Sequence, residues 1–227
     1  MIAQQIDSIR QRIAKSALQA GRRPEDVRLV AVSKTVAAEK IREAFQEGLR
    51  VFGENYIQEA RDKAQTLSDL PIEWHFIGHL QSNKARYAVR QFALIHSVDS
   101  LRLAAEIDRE AQKAGKIQQI LIQVNVAGET TKSGIDPEGL IDLVRSVSAL
   151  SHVRVTGLMT MPPFSEDPEA SRPHFRRLKA LADRCAASVP GIDLQALSMG
   201  MSGDFEVAVS EGATLVRIGT AIFGERS

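Results

Sequence analysis

Apolar residues recur along the chain in two alternating rhythms. Short runs rich in Val, Ile and Leu at 27–33 (VRLVAVS), 50–54 (RVFGE), 72–78 (IEWHFIG) and 93–98 (ALIHSV) have the length and β-branched content of buried strands. Four more follow at 118–126 (QQILIQVNV), 153–161 (VRVTGLMTM), 193–200 (DLQALSMG) and 214–220 (TLVRIGT), giving eight predicted strands. Between them, segments such as 36–48, 100–115, 137–150 and 168–189 set apolar residues at i, i+3, i+4, the spacing of one helix face. Gly48 and Gly115 close two of these segments, as C-cap glycines do.

Eight strands separated by helices predict a (β/α)8 TIM barrel, one domain over residues 1–227, near the usual size of about 250 residues. The competing arrangement is an open doubly wound sheet, but no G-x-G-x-x-G follows the first strand. Strand eight raises a packing question, because after Thr220 only AIFGERS remains, too short for a full outer helix. Strand eight closes beside strand one, so the amphipathic segment at 2–20 is expected to cover the gap as an extra N-terminal helix. The loop MPPFSEDPEASRP at 161–173 is rich in Pro and charge and is expected at a barrel mouth, as a solvated connection or a lid.

Composition narrows the function classes. Apolar residues make up 44% and charged residues 25%, ordinary for a globular protein. Lys and Arg total 29 against 28 acidic residues, so the chain carries no overall charge suited to nucleic acid or an anionic membrane. No apolar run approaches the roughly 20 residues that span a bilayer. One cysteine, Cys185, and an N-terminus without a signal-peptide core point to the cytoplasm.

The candidate chemistry clusters at predicted strand ends. Lys34, in AVSKT, falls at the carboxyl end of the first strand, the edge where parallel α/β proteins bind ligands. A lysine desolvated there loses its proton more readily, and its amine can capture an aldehyde as a Schiff base; a solvated strand-end lysine is the other reading. Ser198 and Ser202 after strand seven, with Gly219 and Thr220 after strand eight, form two Ser/Thr/Gly loops that suit a phosphate or plain helix capping. Their adjacency favours the phosphate. Arg217 lies within an apolar run and needs a partner, either a carboxylate such as Glu54 or the ring of a bound ligand. Asn55, beside Glu54 at the mouth of strand two, fits a helix N-cap. Lys132, after strand five, could steer an anion or take up an aldehyde secondarily, or be solvated, and His79, in HLQSNK, falls near a site or is a loop histidine with ordinary hydrogen bonds.

Other motifs fail on geometry. His75 and His79 on one strand are about 13 Å apart, too far to share a metal. GETTKSG at 128–134 lacks the register of a phosphate-binding loop.

Taken together, AVSKT, FGENYIQE, WHFIGHLQSNK, NV…KSG, GLMTM, LSMGMSGDFE and VRIGTAIFGER have the order and spacing of the pyridoxal phosphate homeostasis protein family, which the chain resembles over nearly its whole length. The resemblance implies the barrel of the alanine racemase N-terminal domain, with pyridoxal 5′-phosphate held as an internal aldimine on Lys34. It implies Ser198, Ser202, Gly219 and Thr220 at the phosphate, Asn55 near the cofactor and Arg217 facing the pyridine nitrogen. An arginine there can only donate, leaving the pyridine neutral and a weak electron sink. A racemase also needs an acid/base on the second face, which the resemblance assigns to a further C-terminal domain; this chain ends seven residues after Thr220. The expectation is a monomeric, non-catalytic protein that buffers or delivers PLP, with PLP-dependent apoenzymes as partners and a role in vitamin B6 and amino-acid homeostasis. A small amino-acid racemase is the alternative, and a regulatory module that reports its cofactor state is a third reading.

Overall fold

The structure is a computed structural model that describes residues 1–129 and 133–224. The eight predicted strands form in the predicted order: β1 (Arg28–Val32), β2 (Val51–Glu54), β3 (Glu73–Phe76), β4 (Leu94–Val98), β5 (Gln118–Gln123), β6 (Val153–Met159), β7 (Ala196–Ser198) and β8 (Leu215–Ile218). All pair in parallel with their sequence neighbours, and β1 also pairs with β8, so the sheet closes into a barrel. That closure excludes the open doubly wound sheet. The helices, in chain order, are α1 (Ile2–Gln19), α2 (Ala38–Gln46), α3 (Ile57–Thr66), α4 (Ala85–Gln91), α5 (Leu101–Lys113), α6 (Leu140–Ser148), α7 (Arg172–Ser188), α8 (Phe205–Ser210) and α9 (Thr220–Phe223). Among the described residues, no helix is long and apolar enough to cross a membrane.

Side chains alternate across each strand, so the barrel has two cores. Outward residues such as Phe52, Phe76 and Ile120 pack under the helices. Inward residues Val30, Val51, Leu94, Leu121, Met159 and Leu215 form a separate buried cluster. Register places His75 beside Leu94, Arg217 beside Val30, and Ser198 beside Leu215, so these three polar residues also face the barrel interior.

The weak point anticipated after strand eight is filled from the other end of the chain. The helices after β7 and β8 have only six and four residues. Ile2, Ile6, Ile9, Ile13 and Ala17 form one buried stripe on α1, which packs against α8, α9 and α2. Arg12 fixes the seam with a two-pronged bond to Glu206 (3.0 and 2.6 Å), and its guanidinium lies over the Phe205 ring.

Candidate functional site

The C-terminal ends of the strands enclose a cavity of about 510 Å³, within the roughly 300 to 1,000 Å³ usual for small-molecule sites. Lys34, Asn55, Ser202, Arg217, Gly219 and Thr220 all line it. Met161, Pro163, Phe164 and Ser165 bring the 161–173 loop to the same mouth.

Lys34 follows β1 in a tight turn, in which Val36 N–H donates to the Ser33 carbonyl at 3.0 Å. The next residue, Thr35, has φ 62°, a left-handed conformation that a β-branched side chain rarely adopts. Such strain persists only where the surroundings over-determine it. Here a charged network does so: Thr35 N–H donates to the Glu59 carboxylate, while the Lys63 ammonium donates to the Ser33 carbonyl, to Glu54 (2.8 Å) and to Glu59 (2.6 Å). The Ser33 hydroxyl donates to the same Glu54 oxygen at 2.6 Å. Glu54 is fully buried, and burial raises its carboxyl above the ordinary value against the lowering effect of Lys63 and Ser33. Glu54 therefore serves the lysine turn and does not pair with Arg217. Gly53, next in line, is in register with inward-facing His75, so Glu54 faces outward to α3.

Asn55 is not a helix cap. Tyr56 occupies the N-cap position of α3 in an extended conformation, with no side-chain cap bond. Asn55 instead lies against the end of β3, where a Cβ at Gly78 would come within 2.3 Å of the Asn55 carbonyl oxygen; only glycine permits that approach. Its buried Oδ1 has no hydrogen-bond partner among the described residues, although it borders the cavity. A polar ligand would complete it.

Arg217 projects from β8 and is 3% exposed. It donates to Ser198 Oγ (2.6 Å) and to the Thr160 carbonyl (2.8 Å), and among the described residues no carboxylate forms an ion pair with it. Burial lowers its pKa to about 10, which leaves it a cation at neutral pH. A buried guanidinium with spare donors suits an electron-rich ligand atom.

The two C-terminal loops are tied together, since Ala221 N–H donates to Ser202 Oγ at 3.4 Å. Gly219 lies so close to Val32 that a Cβ there would approach its carbonyl oxygen to 3.2 Å. Among the described residues the N–H groups of Ser202, Gly203 and Thr220 have no acceptor. With the two hydroxyls these form a cradle of donors suited to a phosphate.

Three residues singled out in the sequence do not join the cavity. Ser198 is fully buried beneath it, bonded to Arg217 and to His96 Nδ1 (2.9 Å), because its strand position faces the barrel axis. His79 is exposed and borders a different cavity, with Tyr87 and Lys84. Lys132 lies outside the described residues. Conversely, the sequence reading missed His96, Glu59 and Lys63. A lone histidine inside the apolar run ALIHSV, and Glu and Lys four apart in IQEARDK, were the available signals.

His96 Nε2 lies 3.0 Å from His75 Nδ1, and His75 Nε2 lies 2.9 Å from Glu73 Oε1. Burial is the main cause that keeps both imidazoles below the ordinary value of 6.5. An unfolded chain therefore binds more protons than the folded one below that value, and stability is lost as pH falls. The melting temperature is expected to drop between about pH 7 and about pH 5, above the main carboxylate range. The drop should flatten in His75→Gln/His96→Gln; an equally steep profile in that variant would contradict the assignment.

Residues 5–227 match the family described as alanine racemase, N-terminal domain. The Clostridium difficile 630 alanine racemase has the same fold at 15% identity (TM-score 0.73), matching 88% of this chain and 53% of its own. Full-length relatives are more specific. The pyridoxal phosphate homeostasis protein of Aquifex aeolicus is 48% identical, over 98% of this chain and 97% of its own. PipY of Synechococcus elongatus PCC7942, solved without PLP and with PLP bound, is 40% identical over 99% of this chain and 100% of its own, with TM-scores of 0.90 and 0.88. The chain belongs to the pyridoxal phosphate homeostasis protein family.

Proposed function

We propose that this protein binds pyridoxal 5′-phosphate reversibly in the Lys34 cavity and buffers or delivers it, without being a dedicated enzyme. The observation that carries the reading is the convergence on one cavity of a lysine amine, a buried guanidinium without a carboxylate, an orphaned amide oxygen and a cradle of unpaired N–H donors. Each matches one part of that molecule: aldehyde, ring nitrogen, ring substituent and phosphate. The PLP bound to PipY supports the same choice.

When bound, the cofactor supplies an aldehyde that condenses with an amine and a ring that withdraws electrons from it. Lys34 is the residue that captures the aldehyde. Arg217 donates to the ring nitrogen, and because it is already protonated it keeps that nitrogen free of a proton. Ser202, Gly203, Gly219 and Thr220 would hold the phosphate, and the unpartnered Asn55 Oδ1 would accept from a polar ring substituent. Ser198 acts one step removed, by fixing Arg217. Among the described residues no histidine, tyrosine or cysteine lines the cavity. Lys40 and Asp204 do; the Asp204 oxygens accept from Met201 N–H (2.7 Å) and Ser171 Oγ (2.9 Å), and its charge favours the protonated form of Arg217. Racemisation would need a second acid/base opposite Lys34, a role for which the described wall holds only Lys40 and Asp204. Residues 1–227 are read as one cofactor-binding unit acting as a monomer in the cytoplasm, with PLP-dependent apoenzymes as recipients.

Thr220→Val separates phosphate from ring contacts. Losing a charge-assisted hydrogen bond of about 1.5 to 3 kcal/mol should weaken PLP binding by roughly 10- to 100-fold and leave unphosphorylated pyridoxal nearly unaffected. Titration of both ligands checks this, and equal losses for the two would make Thr220 merely structural. Delivery is tested by transfer to an apoenzyme in the presence of a trap for free PLP; transfer that survives the trap supports direct hand-over.

A further inference from the structure

A row of polar groups runs through the apolar barrel interior from one mouth to the other. Starting beneath the cavity, Arg217 Nη1 lies 2.6 Å from Ser198 Oγ, Ser198 Oγ lies 2.9 Å from His96 Nδ1, and His96 Nε2 lies 3.0 Å from His75 Nδ1. His75 Nε2 is 2.9 Å from Glu73 Oε1, and Glu73 Oε2 accepts from Arg28 at 2.8 Å. Glu73 and Arg28 begin β3 and β1, so this end opens at the N-terminal mouth of the barrel. None of the links is needed to close the sheet, and burying two imidazoles and a hydroxyl in this core is costly unless each is satisfied.

The chemistry of the two ends fixes the direction of every proton between them. Hydrogen bonds from His75 and Arg28 lower Glu73 to about 2, so it is a carboxylate that only accepts, and His75 must carry its proton on Nε2. A neutral His75 then accepts at Nδ1, which requires a proton on His96 Nε2. Neutral His96 in turn accepts at Nδ1, so the Ser198 hydroxyl donates to it and is left with its oxygen lone pairs for Arg217. Arginine can only donate, and the row is consistent from end to end.

We propose that Glu73, His75, His96 and Ser198 form a hydrogen-bond relay of fixed polarity that positions Arg217 and couples it to a carboxylate at the opposite mouth of the barrel. The effect on a bound cofactor rests on the reading that Arg217 faces its ring nitrogen. The relay itself does not. A carboxylate polarises each link in the same sense, so Ser198 presents a more electron-rich oxygen to the guanidinium than an isolated hydroxyl would. His75 and His96 are positioning residues, out of reach of the ligand.

Two measurements test this. In the protein without cofactor, nitrogen-15 spectra should show both imidazoles neutral and protonated on Nε2. Glu73→Gln removes the end that can only accept, at a half-exposed position that leaves the fold intact, and should shift the resonances of His96, which Glu73 does not touch. In the PLP-loaded protein, Glu73→Gln should move the absorption maximum of the bound cofactor, and this shift should vanish in a Ser198→Ala background, where the row is cut. His96 protonated on Nδ1, or a Glu73→Gln variant with unchanged His96 resonances, overturns the relay. A cofactor shift that persists undiminished in Ser198→Ala overturns its coupling to Arg217. Failure of the wild type to take up PLP contradicts the proposed function instead, and the tautomers in the cofactor-free protein still decide the relay.

Discussion

Lys63→Met is expected to lower the unfolding free energy by about 3 to 5 kcal/mol, the cost of leaving a buried carboxylate without its cation. Glu54 is fully buried, and among the described residues its donors are only Lys63 and Ser33. Lys63 also ties Glu59 and the Ser33 carbonyl to the strained Thr35 turn, so its loss should loosen Lys34 as well as the fold. The sign of the pH dependence follows from Glu54, whose folded pKa is already raised by burial and would rise further without Lys63. A carboxyl raised on folding destabilises at high pH, so the penalty should be largest at neutral pH and shrink as pH falls toward the ordinary value of 4.5. Glu54→Gln/Lys63→Met should recover most of the loss, because it removes the orphaned charge. Urea unfolding of the three variants measures this; a loss of about 1 kcal/mol or less for Lys63→Met, the worth of a surface pair, would contradict the account.

The second large effect is an expected failure of catalysis. Dedicated enzymes turn over at about 1 to 10³ per second, and a positioned general acid/base contributes about 10²- to 10⁴-fold of that. In the proposed mode Arg217 would leave the ring nitrogen without a proton, and beside Lys34 the described cavity wall offers only Lys40 and Asp204 as acid/base groups, the latter already bonded to Met201 and Ser171. The PLP-loaded protein incubated with each common L-amino acid in deuterium oxide should therefore show at most slow α-deuteration and no build-up of D-isomer. Chiral chromatography with mass detection reads both. Stereoinversion of any substrate at several turnovers per second, abolished by Lys34→Ala, would move the protein to the enzyme class.

Periodicity carried the architecture. Strand alternation with helices gave the barrel, and the amphipathic pattern at 2–20 pointed to α1, whose isoleucine stripe covers the seam beside the short α8 and α9. Five of the candidate side chains line one cavity with Gly219, because ligand sites follow strand ends and strand ends are legible as the close of apolar runs. What failed was facing. Ser198 reads as a loop serine until Met159 and Leu215 show it in register with the interior, and Glu54 reads as a partner for Arg217 until Gly53 beside His75 turns it outward. The His75–His96 row was illegible for the same reason. Their contact depends on barrel closure, which brings β3, β4 and β7 around one axis, and no local pattern encodes it.

In the proposed function Lys34 captures the aldehyde of PLP. Borohydride reduction of the PLP-loaded protein, followed by proteolysis and mass spectrometry, tests it most directly. The account predicts one pyridoxyl label per chain, on the peptide that carries AVSKT, and none in a folded Lys34→Ala variant. A label found mainly on Lys132, or retained undiminished in Lys34→Ala, would contradict it.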